Sequence, residues 1–124
     1  MIRLLIVTIF FFSFQSKDSL PTIEISTIDM DILTRYHVKC SEFEQSFQND
    51  KKLRTLGDQK QIEKFLLELK HLKKMKGNQD IDVRAQILIK YKDHVDIMCA
   101  DKFSIYSNGT RYAISTKMKK LIWG

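Results

Sequence analysis

The stretch from Asp82 to Tyr91 constrains the fold more than any other part of the chain. It carries an apolar residue at every odd position from Val83 to Tyr91, and its even positions are mostly polar or charged. A period of two is typical of a β-strand with one face buried and the other in water. The alternation resumes beyond Tyr91, so we predict a run of antiparallel strands over residues 82–114.

Three turns are predicted within this run, one of them near residues 100–102. If the alternation holds across the first turn, Tyr91 and Val95 both face inward, which leaves residues 92–94 as a three-residue loop. Asn108-Gly109 is the strongest two-residue turn signal, because both positions accept positive φ. It pairs Ser107 with Thr110, Ile105 with Tyr112 and Phe103 with Ile114. The predicted inward set is Val83, Ala85, Ile87, Ile89, Tyr91, Val95, Ile97, Cys99, Phe103, Ile105, Tyr112 and Ile114.

The N-terminal residues predict export. Arg3 precedes an apolar run from Leu4 to Phe12 and then a polar turn, which is the pattern of a secretory signal peptide. The run is about half as long as a membrane-spanning helix requires. We predict a signal peptide at residues 1–16, a single small domain at residues 17–124, a secreted or periplasmic location and no transmembrane span after signal removal. An apolar N-terminal strand or a retained anchor is the alternative.

Cys40 and Cys99 are the only cysteines, and an even pair in an exported protein favours a disulfide. The bridge would close a loop worth about 4 kcal/mol in the chain-entropy model. Two buried free thiols are the alternative. With free thiols, His37 and His94 could complete a two-cysteine, two-histidine metal set, and Cys40 with His37 could form a nucleophile pair.

The N-terminal half predicts two strands and a short helix. Residues 22–38 alternate as an extended strand whose apolar phase slips at Ser26-Thr27, which indicates a bend. Ser41 and Glu44 have the spacing of a capping box at the start of a short helix. Residues 51–56 form a predicted strand, with Leu53 as its clearest apolar residue.

The strongest helix prediction runs from Asp58, as the cap, to Lys76. Gly77-Asn78 would end it. A terminal helix capped by Ser115 or Thr116 follows, with Trp123 against the domain. The apolar stripes of the two helices are Ile62, Phe65, Leu66, Leu69 and Leu72, and then Met118, Leu121 and Ile122. The predicted fold class is α+β: an antiparallel sheet, made of the C-terminal meander and the N-terminal strands, covered by one long amphipathic helix and a short C-terminal helix.

No catalytic, phosphate-binding or metal-binding motif stands out in the chain, and four glycines leave little room for a glycine-rich loop. The net charge of +6 falls to +5 without Arg3 and is spread along the chain, which does not indicate nucleic-acid binding. We therefore predict a non-catalytic binding domain without a cofactor, whose partner is a protein, a peptide or an envelope component. A secreted inhibitor or neutralising protein is the alternative, and so is a metal-handling protein or enzyme using the histidines and cysteines. The possible interaction patch consists of Lys70, Lys73, Lys74 and Lys76.

Overall fold

A computed structural model describes residues 20–77 and 81–124. The predicted signal peptide lies outside the described residues. The chain is an α+β domain built on a seven-stranded antiparallel sheet. The strands are β1 (Thr22–Thr27), β2 (Lys52–Leu56), β3 (Lys73–Lys74), β4 (Ala85–Lys90), β5 (Val95–Ala100), β6 (Ser104–Ser107) and β7 (Thr110–Ala113), in the spatial order β2-β1-β4-β5-β6-β7-β3. The helices are α1 (Phe43–Ser46), α2 (Gln59–Lys70) and α3 (Thr116–Trp123), and a 3₁₀ turn over Cys40–Glu42 precedes α1. Within the described residues, no helix is long and apolar enough to cross a bilayer.

Helices α2 and α3 cover one face of the sheet, as the sequence predicted. Ile62 and Phe65 of α2 and Met118 and Ile122 of α3 are buried there. The sheet contributes alternate residues to the same core: Ile23, Ile25, Ala85, Ile87, Ile89, Ala100 and Ile105. This helix-covered face is the larger apolar core of the protein.

A second, smaller core lies on the opposite face of the sheet. Residues 28–47, which we call the cover segment, pack Ile28, Val38, Phe43 and Phe47 against Ile81, Val83 and Cys99. The rings of Phe43 and Phe47 have centroids 5.5 Å apart, which confirms that they share one face of the short helix. The predicted disulfide is present: Cys40 in the cover segment is bonded to Cys99 on β5, with 5.7 Å between the Cα atoms.

The first turn was predicted one residue too short, and this error assigned the side chains of β5 to the wrong face of the sheet. Lys90 pairs with Val95, so the loop has four residues, and it is closed by a bond from the Tyr91 N–H to the His94 carbonyl oxygen (2.8 Å). A shift of one residue moves every side chain of β5 to the other face. Val95 and Ile97, predicted to be inward, are 49% and 54% exposed, and Cys99 is buried under the cover segment rather than under the helices.

The last hairpin, β6–β7, follows the sequence closely. Asn108 and Gly109 have φ values of 49° and 77°, as the predicted turn requires. Ser107 pairs with Thr110 and Ile105 with Tyr112. The Ile114 N–H also donates to the Phe103 carbonyl oxygen (3.0 Å). The Phe103 side chain is nevertheless exposed, because Phe103 lies in the turn before β6 rather than in the strand.

Helix α2 is shorter than predicted. Asp58 caps it by accepting from the Lys60 N–H (3.2 Å), and it ends at Lys70, so the longest helix within residues 20–77 and 81–124 has 12 residues. Beyond it the chain becomes extended and pairs Lys73 with Ala113. Residues 73–75 thus satisfy the backbone groups on the outer edge of β7, and these tertiary hydrogen bonds override the helix propensity of the lysines.

Three further corrections concern the N-terminal half. The first strand ends at Thr27, although the predicted bend is real: Ile23 and Ile25 face the helices, and Ile28 enters the smaller core. The 3₁₀ turn begins one residue before Ser41, and the Lys39 N–H reaches the Glu42 carboxylate (3.5 Å), so Ser41 is not the cap. In β2 the buried residue is Leu56, and Leu53 is exposed because it lies on the opposite face at the edge of the sheet.

The terminal helix is confirmed. Ser115 accepts from the Met118 N–H (3.0 Å) as its cap, and Trp123 donates its indole N–H to the Ile28 carbonyl oxygen (2.9 Å). Trp123 therefore ties α3 to the start of the cover segment.

Candidate functional site

A cleft of about 350 Å³ opens where the cover segment meets the ends of β4 and β5. Three aspartates, two cationic side chains and four apolar side chains line it. The lining residues are Met30, Asp31, Ile32, Leu33, Asp82, Arg84, Asp101, Lys102 and Phe103.

Arg84 forms the floor of this cleft and is only 5% exposed. Two of its nitrogens bond both oxygens of Asp82, at 2.8 and 2.7 Å. The same guanidinium donates to the carbonyl oxygen of Ile32 and to the hydroxyl of Thr34 (3.1 Å each). It also donates to the Val83 carbonyl oxygen (3.0 Å), so each of its three nitrogens has a partner within the chain. Arg84 is therefore a clamp that holds the cover segment against β4.

Asp82 completes the clamp from the other side. Its carboxylate accepts the backbone N–H of Val38 (2.7 Å) as well as the guanidinium. Burial alone would raise the pKa of Asp82, but the Val38 N–H and the Arg84 charge together lower it below its usual range. Asp82 is thus an ionised structural acceptor, and this environment does not suit a general acid at neutral pH.

Asp101 shapes the neighbouring turn. One of its oxygens accepts the backbone N–H groups of Phe103 (2.8 Å) and Ser104 (2.7 Å). The turn projects the Phe103 side chain outward, where the Lys102 ammonium lies 5.2 Å from the ring centroid. Among the described residues, no buried side-chain nitrogen or oxygen lacks a hydrogen-bond partner. The buried polar groups of the cleft are therefore occupied in holding its shape.

The rim of the cleft is apolar and exposed. Leu33 is 94% exposed and Phe103 is 63% exposed, and Ile32, which lines the same cleft, is 39% exposed. Tyr36, further along the cover segment, is also exposed, and its ring lies 5.8 Å from the Arg35 guanidinium carbon. Large apolar side chains grouped around a held loop are typical of protein-contact surfaces.

The metal and nucleophile sets that were the alternatives to a disulfide do not assemble. Cys40 and Cys99 are bonded to each other, so neither sulfur is a free thiolate. His94 stacks on Tyr91, with centroids 4.4 Å apart, at the hairpin end of β5, whereas Cys99 lies near the other end of that strand. His37 is exposed beside Val38 in the cover segment. In residues 20–77 and 81–124, no three histidine, cysteine, aspartate or glutamate side chains are grouped to hold a metal ion.

The four lysines of the predicted patch are exposed but do not share one helix face. Lys70 ends α2, Lys73 and Lys74 form β3, and Lys76 follows it. β3 is an edge strand of the sheet, and the other edge strand, β2, also carries basic residues. Lysine on an edge strand hinders the addition of further strands, so this position accounts for part of the patch without a partner.

Sequence reasoning missed the residues that build the cleft. Arg84 occupies an even position of the predicted strand, and its charge was interpreted as a solvated face. The sequence does place Asp82 two residues away on the same strand face, and that spacing was the available signal for a carboxylate–guanidinium pair. Nothing in the local pattern separates Leu33 and Phe103 from core residues.

Comparisons with protein-family models, curated proteins and solved structures gave no significant match to this chain.

Proposed function

We propose that this chain is a non-catalytic, exported protein-binding domain that contacts its partner with the rim of the cleft. Leu33 and Phe103 supply the apolar contact, and the clamp between Arg84 and Asp82 holds the loop that presents Leu33. The single observation that carries the proposal is this combination of a rigid polar anchor below and large exposed apolar side chains above.

Preorganisation of the Leu33 loop by the clamp favours tight binding. A loop that is already ordered loses little conformational entropy when a partner covers it, so more of the contact energy appears as affinity. The cleft otherwise offers few groups for chemistry, because the hydrogen-bonding capacity of Arg84 is taken up within the chain and Asp82 is held ionised. Export is supported by the disulfide, since disulfides persist in oxidising compartments.

A secreted inhibitor or neutralising protein is the second candidate, and the clamp is the observation that favours it. Inhibitors commonly insert a rigid loop into the cleft of their target with little change of backbone conformation. The Leu33 loop is both exposed and held at its base. The two candidates differ in the partner: a hydrolase or toxin for the inhibitor, and another protein class for a general binding domain.

The test places a photo-reactive amino acid at Leu33 or at Phe103 in the protein as its own cell exports it. Leu67 on α2 is the matched control, because it is also a large exposed apolar residue but lies on another element. We expect both rim positions to cross-link to the same discrete protein and the Leu67 position not to do so. An identical set of products from all three positions, or no product from the rim, would overturn the proposal.

Competition with purified variants then tests the contribution of the rim residues and that of the clamp separately. Leu33→Asp should abolish competition for the cross-linked protein because it places a charge in the contact. Arg84→Lys leaves the rim residues intact but loses the two-pronged geometry of the clamp, so it should weaken competition to an intermediate degree. If Arg84→Lys competes as well as the parent chain, preorganisation has no part in binding.

A further inference from the structure

The face of the sheet opposite the helices is covered over only half its length. The cover segment lies over the end near Cys99, and the end near the β4–β5 hairpin has no cover among the described residues. We call this uncovered part the open half. Its side chains are Glu24, Leu88, Lys90, Val95, Ile97 and Tyr106.

The open half is apolar in its middle. Ile97 and Val95 are about half exposed on β5, and Leu88, the cross-strand partner of Ile97, is partly exposed beside them. Tyr106 adds an exposed aromatic ring from β6, next to Cys99. An exposed, contiguous apolar group on a sheet face is a candidate interaction surface.

We propose that a second copy of this chain covers the open half, in a symmetric dimer with the two sheets face to face. The two-fold axis would run between the sheets and across the strands. This proposal concerns a different surface from the cleft and does not depend on the function proposed above.

Shape favours a second copy in this arrangement. The cover segment rises above one end of this sheet face, and the open half beside it lies lower. Two sheets packed face to face are about 10 Å apart. An axis across the strands places the two cover segments at opposite ends of the joint, so that each occupies the space beyond the other copy's hairpin. An axis along the strands would bring the two cover segments into collision. The half-covered face is therefore complementary to itself in one orientation.

Charge favours the same orientation. Lys90 pairs with Val95, and Leu88 pairs with Ile97 two residues further along the strands. Reversal of the strands across the axis lays Val95 over the Ile97 of the second copy. It also brings Glu24, which is bonded to Lys90 within one chain (2.8 Å), close to Lys90 of the second chain. Two reciprocal acid–base contacts result, and no pair of like charges is forced together.

The test uses the protein expressed with its own N-terminal segment and purified as the cell releases it. Sedimentation velocity over about 1 µM to about 1 mM covers weak to moderate self-association. We expect a species of twice the chain mass to form in this range. Ile97→Asp should remove it, and Leu67→Asp, on the helix side of the molecule, should leave it unchanged. Thermal unfolding of each variant verifies that the fold is retained.

A charge exchange distinguishes this dimer from nonspecific self-association. Glu24→Lys and Lys90→Glu should each weaken self-association by about tenfold, and the double variant, which restores opposite charges, should recover it. A chain that stays monomeric over the whole range, or a dimer that Ile97→Asp leaves intact, would overturn the proposal. Dimer formation only after removal of residues 1–16 would assign the open half to that segment instead, and would also overturn it.

Discussion

Replacement of Arg84 by methionine is the most demanding test of the clamp. The change removes the guanidinium but keeps most of the aliphatic volume. It leaves the Asp82 carboxylate with the Val38 N–H alone and deprives the Ile32 carbonyl oxygen of both its donors. Removal of one partner from a buried pair costs about 3–5 kcal/mol. Asp82 retains 29% side-chain exposure and can recruit water, so we expect a loss near the lower end, about 3 kcal/mol.

Two matched variants set the scale. Arg84→Lys keeps the charge but cannot reach both carboxylate oxygens and the loop at once, so it should cost about 1–2 kcal/mol. Lys90→Met breaks an ion pair whose members are 42% and 27% exposed, and it should cost less than about 1 kcal/mol.

The assay is equilibrium unfolding in urea at low micromolar concentration, with the free energy of unfolding taken by linear extrapolation. A second readout is tryptic cleavage after Arg35, which lies in the clamped loop and should be cut faster in Arg84→Met than in the parent. A loss below about 1 kcal/mol for Arg84→Met, similar to that of Lys90→Met, would refute the assignment of Arg84 as the anchor of the cover segment.

Three further predictions follow from individual residues. Because its folded-state pKa is lowered, Asp82 stabilises the fold above the ordinary aspartate pKa of about 3.9, and this contribution is lost as the pH falls through the folded pKa. In Asp82→Asn, the free energy of unfolding in urea should therefore depend less steeply on pH between about pH 2 and 5 than it does in the parent. Replacement of Cys40 and Cys99 by alanine should lower the free energy of unfolding by about 4 kcal/mol, and non-reducing peptide mass mapping of the parent should recover the two cysteine peptides joined. Gly109→Ala should cost about 1–2 kcal/mol because φ is +77° there, whereas Gly57→Ala, where an added Cβ meets nothing within 4 Å, should be close to neutral; equal losses would contradict this account of the turn.

The elements that depend on local chemistry could be predicted from the sequence. Asn108-Gly109 fixes its own turn and therefore the register of β6 and β7, and Asp58 and Ser115 cap their helices with their own side chains. The disulfide was predictable because an even pair of cysteines in a chain predicted to be exported has few other uses.

The misplaced elements depend on contacts that are distant in sequence. A three-residue loop and a four-residue loop fit residues 91–94 almost equally well. Only the packing of the cover segment on Cys99 shows which face of β5 is buried on that side of the sheet. The end of α2 is set by the free edge of β7, some forty residues later, and not by any signal within the helix. The candidate site was missed for the same reason, since Arg84 meets Ile32 and Thr34 only after folding.

The strand order also has a consequence for the timing of folding. β1 is the first of the described strands to be synthesised, yet it lies inside the sheet between β2 and β4, and its Thr22 pairs with Lys90, 68 residues later in the chain. Of the described sheet, a nascent chain that stops before β4 can form only the two-stranded ribbon of β1 and β2, which is marginally stable in water. The local β4–β7 meander can form without the N-terminal half, because its pairings span few residues. We therefore expect folding to start near the C-terminus, with β1 joining last, so that the complete sheet forms only after most of the chain has been made.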